Sequence, residues 1–300
     1  MQTDQVVHTS WLRSTLYGVA RLLPVSLIKS VSRSQWRHAW LKPWLERCAN
    51  VLRNQDGVIK HGVAKGLRFN TGNSHIGFLL GTSEPAVQNV LQMLVRPGSV
   101  TYDIGANVGF LTLVAAHLAG AAGRVFAFEP LPQNFRQLER NIQINGFEHV
   151  EARNIALADQ DGPAIFLVSR SPTWGKLASV SGETAEQIGK IEVAVCRLDR
   201  VVQTDSLPLP HLIKIDVEGA EIEVLDGAME TIRKARPILL IELHGTNATI
   251  AQRLKAFNYY PAVVGSSKSV TESHWNVHIV AFPEPCPEIE QIQRGELAAQ

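Results

Sequence analysis

Cysteine is scarce in this 300-residue chain, which contains three: Cys48, Cys196 and Cys286. Their odd number and wide spacing fit neither a set of disulfide bonds nor a cysteine-based metal site. We therefore expect three separate reduced thiols, and we assign no metal ion to the chain.

Long hydrophobic runs are missing as well. No uninterrupted apolar stretch reaches the roughly 18 residues that a membrane-spanning helix needs. The apolar stretch near the N-terminus is interrupted by Arg13, Arg21 and Pro24, and no small-residue cleavage site follows it. A secretory signal is therefore not expected, and the default prediction is a cytoplasmic protein.

The chain also has little net charge, but its charges are unevenly distributed. Twenty-nine Lys and Arg against 28 Asp and Glu give +1, yet residues 1–65 carry ten basic and three acidic residues, so that residues 66–300 are net −6. An apolar fraction of 45% with 19% charged residues is typical of a folded chain and excludes wholesale disorder. The acidic bulk argues against a nucleic-acid partner.

Residues 1–56 predict a basic helical arm, because apolar residues from Trp11 to Leu23 recur at helical spacing. Two interpretations are open. A basic amphipathic helix with Trp suits peripheral contact with an anionic membrane or a partner. The same stripe can instead pack on the main domain, which we favour because amphipathicity is the usual mark of a packed helix.

The rest of the chain predicts an α/β domain with short additions. Residues 57–98 predict a lead-in of a β-hairpin and a helix, and residues 286–300 a C-terminal tail. Between them, in 99–285, strands alternate with helices, which indicates βαβ units and a mostly parallel sheet. The last two strands, near 259–264 and 277–282, lack a helix between them and predict an antiparallel pair.

The strongest local pattern is Asp103-Ile-Gly-Ala-Asn-Val-Gly109, between a strand and a helix. Glycines there let a ligand approach the backbone at the positive end of the helix. The dinucleotide fingerprint G-x-G-x-x-G would need glycines at 105, 107 and 110, where the chain has Gly105, Asn107 and Phe110. The loop thus favours a ligand with its own amine and carboxylate, whose ammonium would meet Asp103.

A carboxylate follows the next strand. Glu129, in Phe126-Ala-Phe-Glu-Pro130, lies 24 residues after Gly105, where an acid can accept both hydroxyls of a ribose. Each pattern alone is common, but their joint spacing predicts a site for a nucleoside-type cofactor without a 2′-phosphate.

Charged residues also follow the fourth and fifth strands of the predicted sheet. Lys214, Asp216 and Glu218 lie at the end of one strand, before a helix predicted over 219–235, and ligands bind at such carboxyl ends. Glu221 is equally explained as a first-turn acid that offsets the helix dipole.

On the following strand, Glu242 and His244 alternate onto one face of the sheet. A lone histidine is more often structural, but this one lies at the edge where the reaction is expected.

Together these patterns resemble the FkbM family of S-adenosylmethionine-dependent methyltransferases. Between about residue 75 and residue 285, the resemblance rests on Gly81-Thr-Ser-Glu84, Asp103-Ile-Gly-Ala-Asn-Val-Gly-Phe110, Phe128-Glu-Pro130, Asn141, Asn145, Arg197-Leu-Asp199 and Lys214-Ile-Asp-Val-Glu-Gly-Ala-Glu221.

The resemblance implies a Rossmann-like class I methyltransferase fold, with a seven-stranded, mostly parallel sheet that has one antiparallel strand. It also implies the cofactor S-adenosyl-L-methionine and methyl transfer to oxygen on a small molecule such as a sugar, glycolipid or secondary metabolite. The residues expected to bind the cofactor are Asp103, Gly105, Asn107, Gly109, Glu129, Pro130, Ile155 and Ala156. The residues expected to act in catalysis are Lys214, Asp216, Glu218 and His244.

Methylation of a weakly acidic hydroxyl calls for a base within hydrogen-bond reach. Asp216 and His244 are the candidates, with Glu218 and Glu242 as orienting partners. A divalent ion on Asp216 and Glu218 could instead lower the pKa of the hydroxyl, although no His-rich ligand set supports it. Trp174, in an insert over 169–190, could stack on a sugar, or the insert is a surface loop.

Two other functions are open at this point. One is a Rossmann oxidoreductase that uses a nicotinamide dinucleotide, which the misplaced third glycine argues against. The other is a non-catalytic protein that retains a cofactor pocket.

Overall fold

The computed structural model describes residues 54–169, 175–177 and 187–295. The predicted N-terminal helices, Cys48 and Trp174 lie outside these residues. The chain divides into two compact units at the bond between Ser83 and Glu84. The predicted lead-in over 57–98 is therefore shared between the units.

The described part of the first unit is a small hairpin followed by a helical turn. Strand β1 (Asp56–Val58) pairs antiparallel with β2 (Arg68–Asn70), and α1 is Gly77–Leu80. The rings of Phe69 and Phe78 lie 6.1 Å apart and connect the hairpin to the turn.

A seven-stranded sheet forms the centre of the second unit. Its strands are β3 (Val100–Ile104), β4 (Arg124–Phe128), β5 (Val150–Arg153), β10 (Leu212–Ile215), β11 (Ile238–His244), β12 (Tyr260–Val263) and β13 (Asn276–Phe282). Their order is β12-β13-β11-β10-β3-β4-β5, and β13 runs antiparallel to both of its neighbours. The remaining pairs are parallel. The predicted fold, including its single antiparallel strand, is confirmed.

Helices cover both faces of this sheet, as buried strands such as Leu212–Ile215 require. They are α2 (Pro85–Leu94), α3 (Phe110–Ala119), α4 (Pro132–Asn145), α5 (Leu198–Thr204), α6 (Glu221–Asp226), α7 (Met229–Ala235), α8 (Asn247–Ala256) and α9 (Glu288–Arg294). Apolar side chains of α5 to α8 share a core with Tyr102, Phe126 and Ile213. Ala127, on the opposite face of β4, packs with Leu138 of α4.

The prediction of a single helix over 219–235 was wrong, because the chain forms two helices there, α6 and α7. The break lies at Gly227, where a Cβ atom would come within 1.9 Å of the carbonyl oxygen of Ala158. This close approach of two backbones interrupts a pattern that otherwise has helical spacing throughout.

The segment between β5 and β10 forms a second sheet, which has four strands. It consists of β6 (Ala156–Leu157), β7 (Gly162–Ser169), β8 (Gly175–Leu177) and β9 (Gln187–Cys196), in the order β6-β9-β7-β8. The interpretation of 169–190 as a loop was wrong for β8 and for the start of β9. Phe166 of β7 packs against Leu131 and Val193 and so fixes this sheet beside the end of β4.

No helix in the described part of the chain is both long and apolar enough to cross a membrane.

Candidate active site

The glycine-rich loop after β3 contacts the loop after β10 directly. Asp216 N–H donates to the Ile104 carbonyl oxygen at 3.0 Å. Gly105 has a φ of 77°, and a Cβ atom there would lie 1.8 Å from the Asp216 carbonyl oxygen. Only glycine fits this close approach. Gly109, with a φ of 89°, similarly leaves room for the Leu138 side chain, against which a Cβ would lie at 2.6 Å.

Glu129 connects this loop to the end of β4. It is only 5% exposed, and its two carboxylate oxygens accept the N–H groups of Asn107 at 2.8 Å and of Leu131 at 2.9 Å. Burial raises its pKa to about 7, although these two hydrogen bonds oppose the rise. A carboxylate offers about four acceptor positions, and Asn107, Leu131 and Asn134 occupy three of them, so Glu129 keeps capacity for a ribose hydroxyl.

A cleft opens where these loops meet, with about 610 Å³ of space that is partly open to solvent. Six of the eight residues expected to bind the cofactor line it: Gly105, Asn107, Glu129, Pro130, Ile155 and Ala156. Asp216 and Glu218 line it too. The structure thus brings most of the predicted cofactor residues together with two of the predicted catalytic ones. Apolar side chains complete the cleft, among them Phe128, Leu131, Leu157 and Phe166.

Asp103 and Lys214 lie under the loop and form a buried ion pair. Lys214 Nζ is 3.1 Å from Asp103 Oδ1 and 3.6 Å from Asp216 Oδ2, and it donates to the Gly105 carbonyl at 2.8 Å. Thr112 donates to the other oxygen of Asp103 at 2.6 Å. Burial alone would lower the pKa of Lys214, but the nearby carboxylates raise it above its ordinary value.

Asp103 is 2% exposed, and Lys214 and Thr112 hold its carboxylate. Contact between Asp103 and a ligand ammonium therefore stays a prediction. What the structure shows is that Asp103 pairs with Lys214, which in turn donates to the Gly105 carbonyl of the loop.

Glu221 and His244 form a second buried pair. Glu221 is fully buried and accepts three hydrogen bonds: from Gly219 N–H at 2.8 Å, His244 Nδ1 at 2.9 Å and the Thr246 hydroxyl at 2.8 Å. Beyond carrying the charge of a first-turn acid, Glu221 therefore orients the His244 ring.

The other ring nitrogen of His244 faces carboxylates. His244 Nε2 lies 3.5 Å from Glu218 and 3.7 Å from Glu242. Burial would lower the pKa of His244, but the hydrogen bond to Glu221 and the charges of Glu218, Glu221 and Asp216 raise it to about 9.

Asp216 and Glu218 form the acidic wall of the cleft. Burial raises the pKa of both, in the case of Glu218 to about 7. The charge of His244 opposes the rise at Glu218, while Asp216, Glu242 and Glu221 add to it. Glu218 also has a left-handed backbone, with a φ of 53°. The end of β10 thus presents a carboxyl group that can gain or lose a proton near neutral pH.

The structure adds Glu84 and His278 to this edge of the sheet. His278, on β13, lies opposite Glu242 in register, and its Nε2 is 3.2 Å from Glu242 and 3.9 Å from Glu84. Burial opposes ionisation of Glu242, but His278 and His244 together lower its pKa to about 2. Glu84 is part of the Gly81-Thr-Ser-Glu84 motif, to which the sequence assigned no role. No sequence pattern indicated His278, because its position opposite Glu242 is set by the register of the sheet.

Two sets of side chains here could hold a metal ion. One is Asp216, Glu218 and His244, and the other is Glu84, Glu242 and His278, and in each set the ligand atoms lie within 4.8 Å of one another.

Comparison with known proteins places the chain in a family. Residues 103–274, more than half of the chain, match the model of the methyltransferase FkbM domain. The hexuronic acid methyltransferase AglP of Haloferax volcanii is 27% identical over 160 residues, which cover 52% of this chain and 62% of that protein. The 31-O-demethyl-FK506 methyltransferase FkbM of Streptomyces tacrolimicus is 27% identical over 216 residues, covering 62% and 81%.

The 2-O-methyltransferase NoeI of Sinorhizobium fredii is 27% identical over 161 residues, which cover 50% of this chain and 65% of that protein. The chain thus spans just under two thirds of two of these relatives and about four fifths of the FK506-related one. The fold, the cleft and the match over 103–274 lead to one conclusion: the chain belongs to the FkbM family of S-adenosylmethionine-dependent methyltransferases.

Proposed function

We propose that this protein methylates a hydroxyl oxygen on a sugar-containing or other small polar acceptor. The observation that carries the proposal is that Asp216 and Glu218 line the same cleft as Glu129 and the glycine-rich loop. Groups that can accept a hydroxyl proton therefore adjoin the cofactor site. The names of two relatives, a hexuronic acid methyltransferase and a 2-O-methyltransferase, support an oxygen of a sugar as the methyl acceptor.

The cleft fits S-adenosylmethionine by the chemistry of its lining. Phe128, Leu131, Ile155 and Phe166 offer an apolar surface suited to a flat adenine, and Glu129 offers carboxylate oxygens for ribose hydroxyls. When bound, the cofactor supplies a sulfonium methyl group that is already activated for transfer. The protein therefore has to orient the acceptor and remove its proton.

We assign proton removal to Glu218. Its carboxyl group lines the cleft, and its pKa of about 7 suits a base that works at neutral pH. Asp216, paired with Lys214 at 3.6 Å, is placed to accept a hydrogen bond from the acceptor and orient it. In this proposal Glu218, expected from the sequence to be an orienting partner, takes the role of base for which Asp216 and His244 were the candidates.

His244 is poorly placed to act as the base because both of its ring nitrogens are directed at carboxylates. Nδ1 is held by Glu221 at 2.9 Å, and Nε2 faces Glu218 at 3.5 Å. We propose that His244 orients the Glu218 carboxylate. The sequence had suggested the opposite roles, with His244 as a candidate base and Glu218 as its orienting partner.

The test is a screen of the full-length protein with methyl-labelled S-adenosylmethionine. Uronic acids, methyl glycosides and polar lipid extracts serve as acceptors, and formation of S-adenosylhomocysteine is measured in parallel. The proposal predicts label in at least one sugar-containing fraction together with an equal amount of S-adenosylhomocysteine. Cofactor binding with no turnover on any acceptor would favour the non-catalytic alternative. The family assignment already excludes the alternative function of a nicotinamide-dependent oxidoreductase.

A further inference from the structure

Three side chains of types that bind metal ions, and that the proposed reaction does not use, lie together beside the candidate active site. Glu242 lies on β11, His278 lies opposite it on β13, and Glu84 directly precedes α2. Their ligand atoms lie within 4.8 Å of one another, with His278 Nε2 at 3.2 Å from Glu242 Oε2 and 3.9 Å from Glu84 Oε2. Imidazole nitrogen and carboxylate oxygen are both ligands of Zn²⁺, and carboxylates also suit Mn²⁺.

One ligand atom of this set has unsatisfied bonding capacity. Glu84 Oε2 is buried and receives no hydrogen bond within the described part of the chain. A buried carboxylate oxygen without a donor is costly, and native proteins generally satisfy such atoms. His278 Nε2 is too distant, at 3.9 Å, to donate to it. A cation between Glu84 and His278 would supply the missing partner.

The two oxygens of Glu242 face in different directions. Oε2 faces His278 at 3.2 Å, while Oε1 faces His244 Nε2 at 3.7 Å. Glu242 can therefore give one oxygen to an ion and keep the other for the His244 and Glu218 pair. The charge also fits, because the two carboxylates carry two negative charges once both are ionised, and a divalent cation with neutral His278 balances them.

We propose that Glu84, Glu242 and His278 bind one divalent cation of the zinc or manganese type. Three protein ligands leave at least one coordination position open, as in catalytic rather than structural metal sites. Glu242 faces His244, and His244 faces Glu218, so the metal site adjoins the proposed base. An ion bound at this site can therefore hold an oxygen atom of the acceptor next to the oxygen that is methylated. This second role rests on the proposed function, whereas the binding of the ion does not.

The experiment uses full-length protein that has been stripped of metals with a chelator and then titrated with MnCl2. Free Mn²⁺ is followed by electron paramagnetic resonance. The wild type should bind one Mn²⁺ per chain, and Glu84→Gln and His278→Gln should weaken this binding at least tenfold. His274→Gln, at an exposed histidine near the start of β13, is the matched control and should bind as the wild type does.

Glu218→Gln separates the two possible sites. Loss of Mn²⁺ binding in Glu218→Gln with full binding in Glu84→Gln would put the ion on Asp216, Glu218 and His244 and overturn the proposal. Absence of stoichiometric binding by the wild type would overturn it as well. Thermal unfolding and S-adenosylmethionine titration of each variant show that the fold and cofactor site are intact.

The same preparations distinguish this proposal from the proposed function. Methyl transfer by protein that binds no Mn²⁺ would refute the metal site and leave the methyltransferase reaction standing. Mn²⁺ binding without turnover on any sugar-containing acceptor would support the metal site and count against the acceptor class.

Discussion

At the scale of single residues, the proposed cofactor site contains carboxyl groups that have partners within the protein as well as expected ligands. Glu129 accepts hydrogen bonds from the backbone of Asn107 and Leu131, and we expect it to accept one from a ribose hydroxyl as well. Asp103 and Lys214 hold the loop from below. Loss of such a group should therefore affect cofactor affinity through loop position and direct contact together.

Replacing Glu129 tests this arrangement. Hydrogen bonds to a charged group contribute about 1.5–3 kcal/mol each, so Glu129→Ala should weaken S-adenosylmethionine binding by roughly 10-fold or more. Isothermal titration calorimetry measures the affinity. Glu139→Ala, at an exposed glutamate of α4, is the control and should leave it unchanged. Equal affinities of Glu129→Ala and wild type would show that the cofactor binds elsewhere.

Replacing Glu218 tests the assignment of the base. A carboxyl with a pKa of about 7 is protonated below that pH, so the wild-type rate should rise with pH and level off above about 7. Burial is the main cause of this raised pKa, and the ionisable groups that face Glu218 are His244, Asp216, Glu242 and Glu221. Glu218→Gln should remove this rise and lower kcat about 100-fold, a typical loss for a missing general base.

The control for this experiment is Glu230→Gln, at an exposed glutamate of α7. Its pH profile should match that of the wild type. A Glu218→Gln enzyme that retained both the rate and the rise with pH would transfer the role of base to Asp216.

At the scale of secondary-structure elements, the site is made by loops that touch across the sheet. The loops after β3 and β10 meet at Gly105 and Asp216, and β4 joins them through Glu129. Because parallel strands end at one edge, three separate runs of the sequence converge into one cleft.

A pair of glycine substitutions separates this close approach from backbone strain. Gly105 and Gly146 both have positive φ, 77° and 64°, but a Cβ at Gly146 would meet nothing within 4 Å. Gly146→Ala should therefore cost about 1 kcal/mol of unfolding free energy. Gly105→Ala should cost at least about 2 kcal/mol more and abolish cofactor binding, because the Asp216 carbonyl has to move. Denaturant unfolding measures both, and equal losses would mean that the contact is unimportant.

The main sheet, and the cleft that most of the proposed cofactor residues line, could be predicted from the sequence because their signals are local. Apolar runs at strand length, helical spacing and glycines after a strand each occupy a few neighbouring residues. The meeting of Gly105, Glu129 and Asp216 followed from the shared edge of parallel strands. The contacts of Asp103 with Lys214 and of Glu221 with His244 could not be predicted, because they depend on the rotamers of buried side chains.

The features that sequence patterns missed involve contacts over long distances in the chain. The division of the helix at Gly227 is caused by the Ala158 backbone, 69 positions away. The pairing of His278 with Glu242 follows from an antiparallel register that no local pattern specifies. Apolar residues of β7 and β9 form a cluster with Leu131, which follows β4, so their burial could not be recognised from the sequence pattern.

At the scale of the whole molecule, the near-zero net charge combines two segments of opposite sign. The acidic excess lies in residues 66–300, which contain the cleft and its carboxylates, whereas the basic excess lies in residues 1–65. A basic segment attached to an acidic domain would bring the enzyme to an anionic membrane surface if the acceptor is a membrane-linked glycan or lipid.

Removal of residues 1–50 tests this membrane hypothesis. The shortened protein should bind anionic liposomes more weakly than the full chain, and increasingly so at low salt, while its affinity for S-adenosylmethionine stays the same. Liposome co-sedimentation measures the difference. Equal binding by the two forms would favour the other interpretation of the arm, that of helices that pack on the domain.

The central claim, that this cleft directs a methyl group onto a hydroxyl oxygen, is tested most directly by the structure of the product. Full-length protein would be incubated with ¹³C-methyl S-adenosylmethionine and a sugar-containing acceptor fraction, and the labelled product would be examined by two-dimensional NMR. We predict a methyl ether, with much less label when Glu129→Ala protein is used at a cofactor concentration below its weakened affinity. Label found only on nitrogen or carbon, or undiminished by Glu129→Ala, would contradict the account.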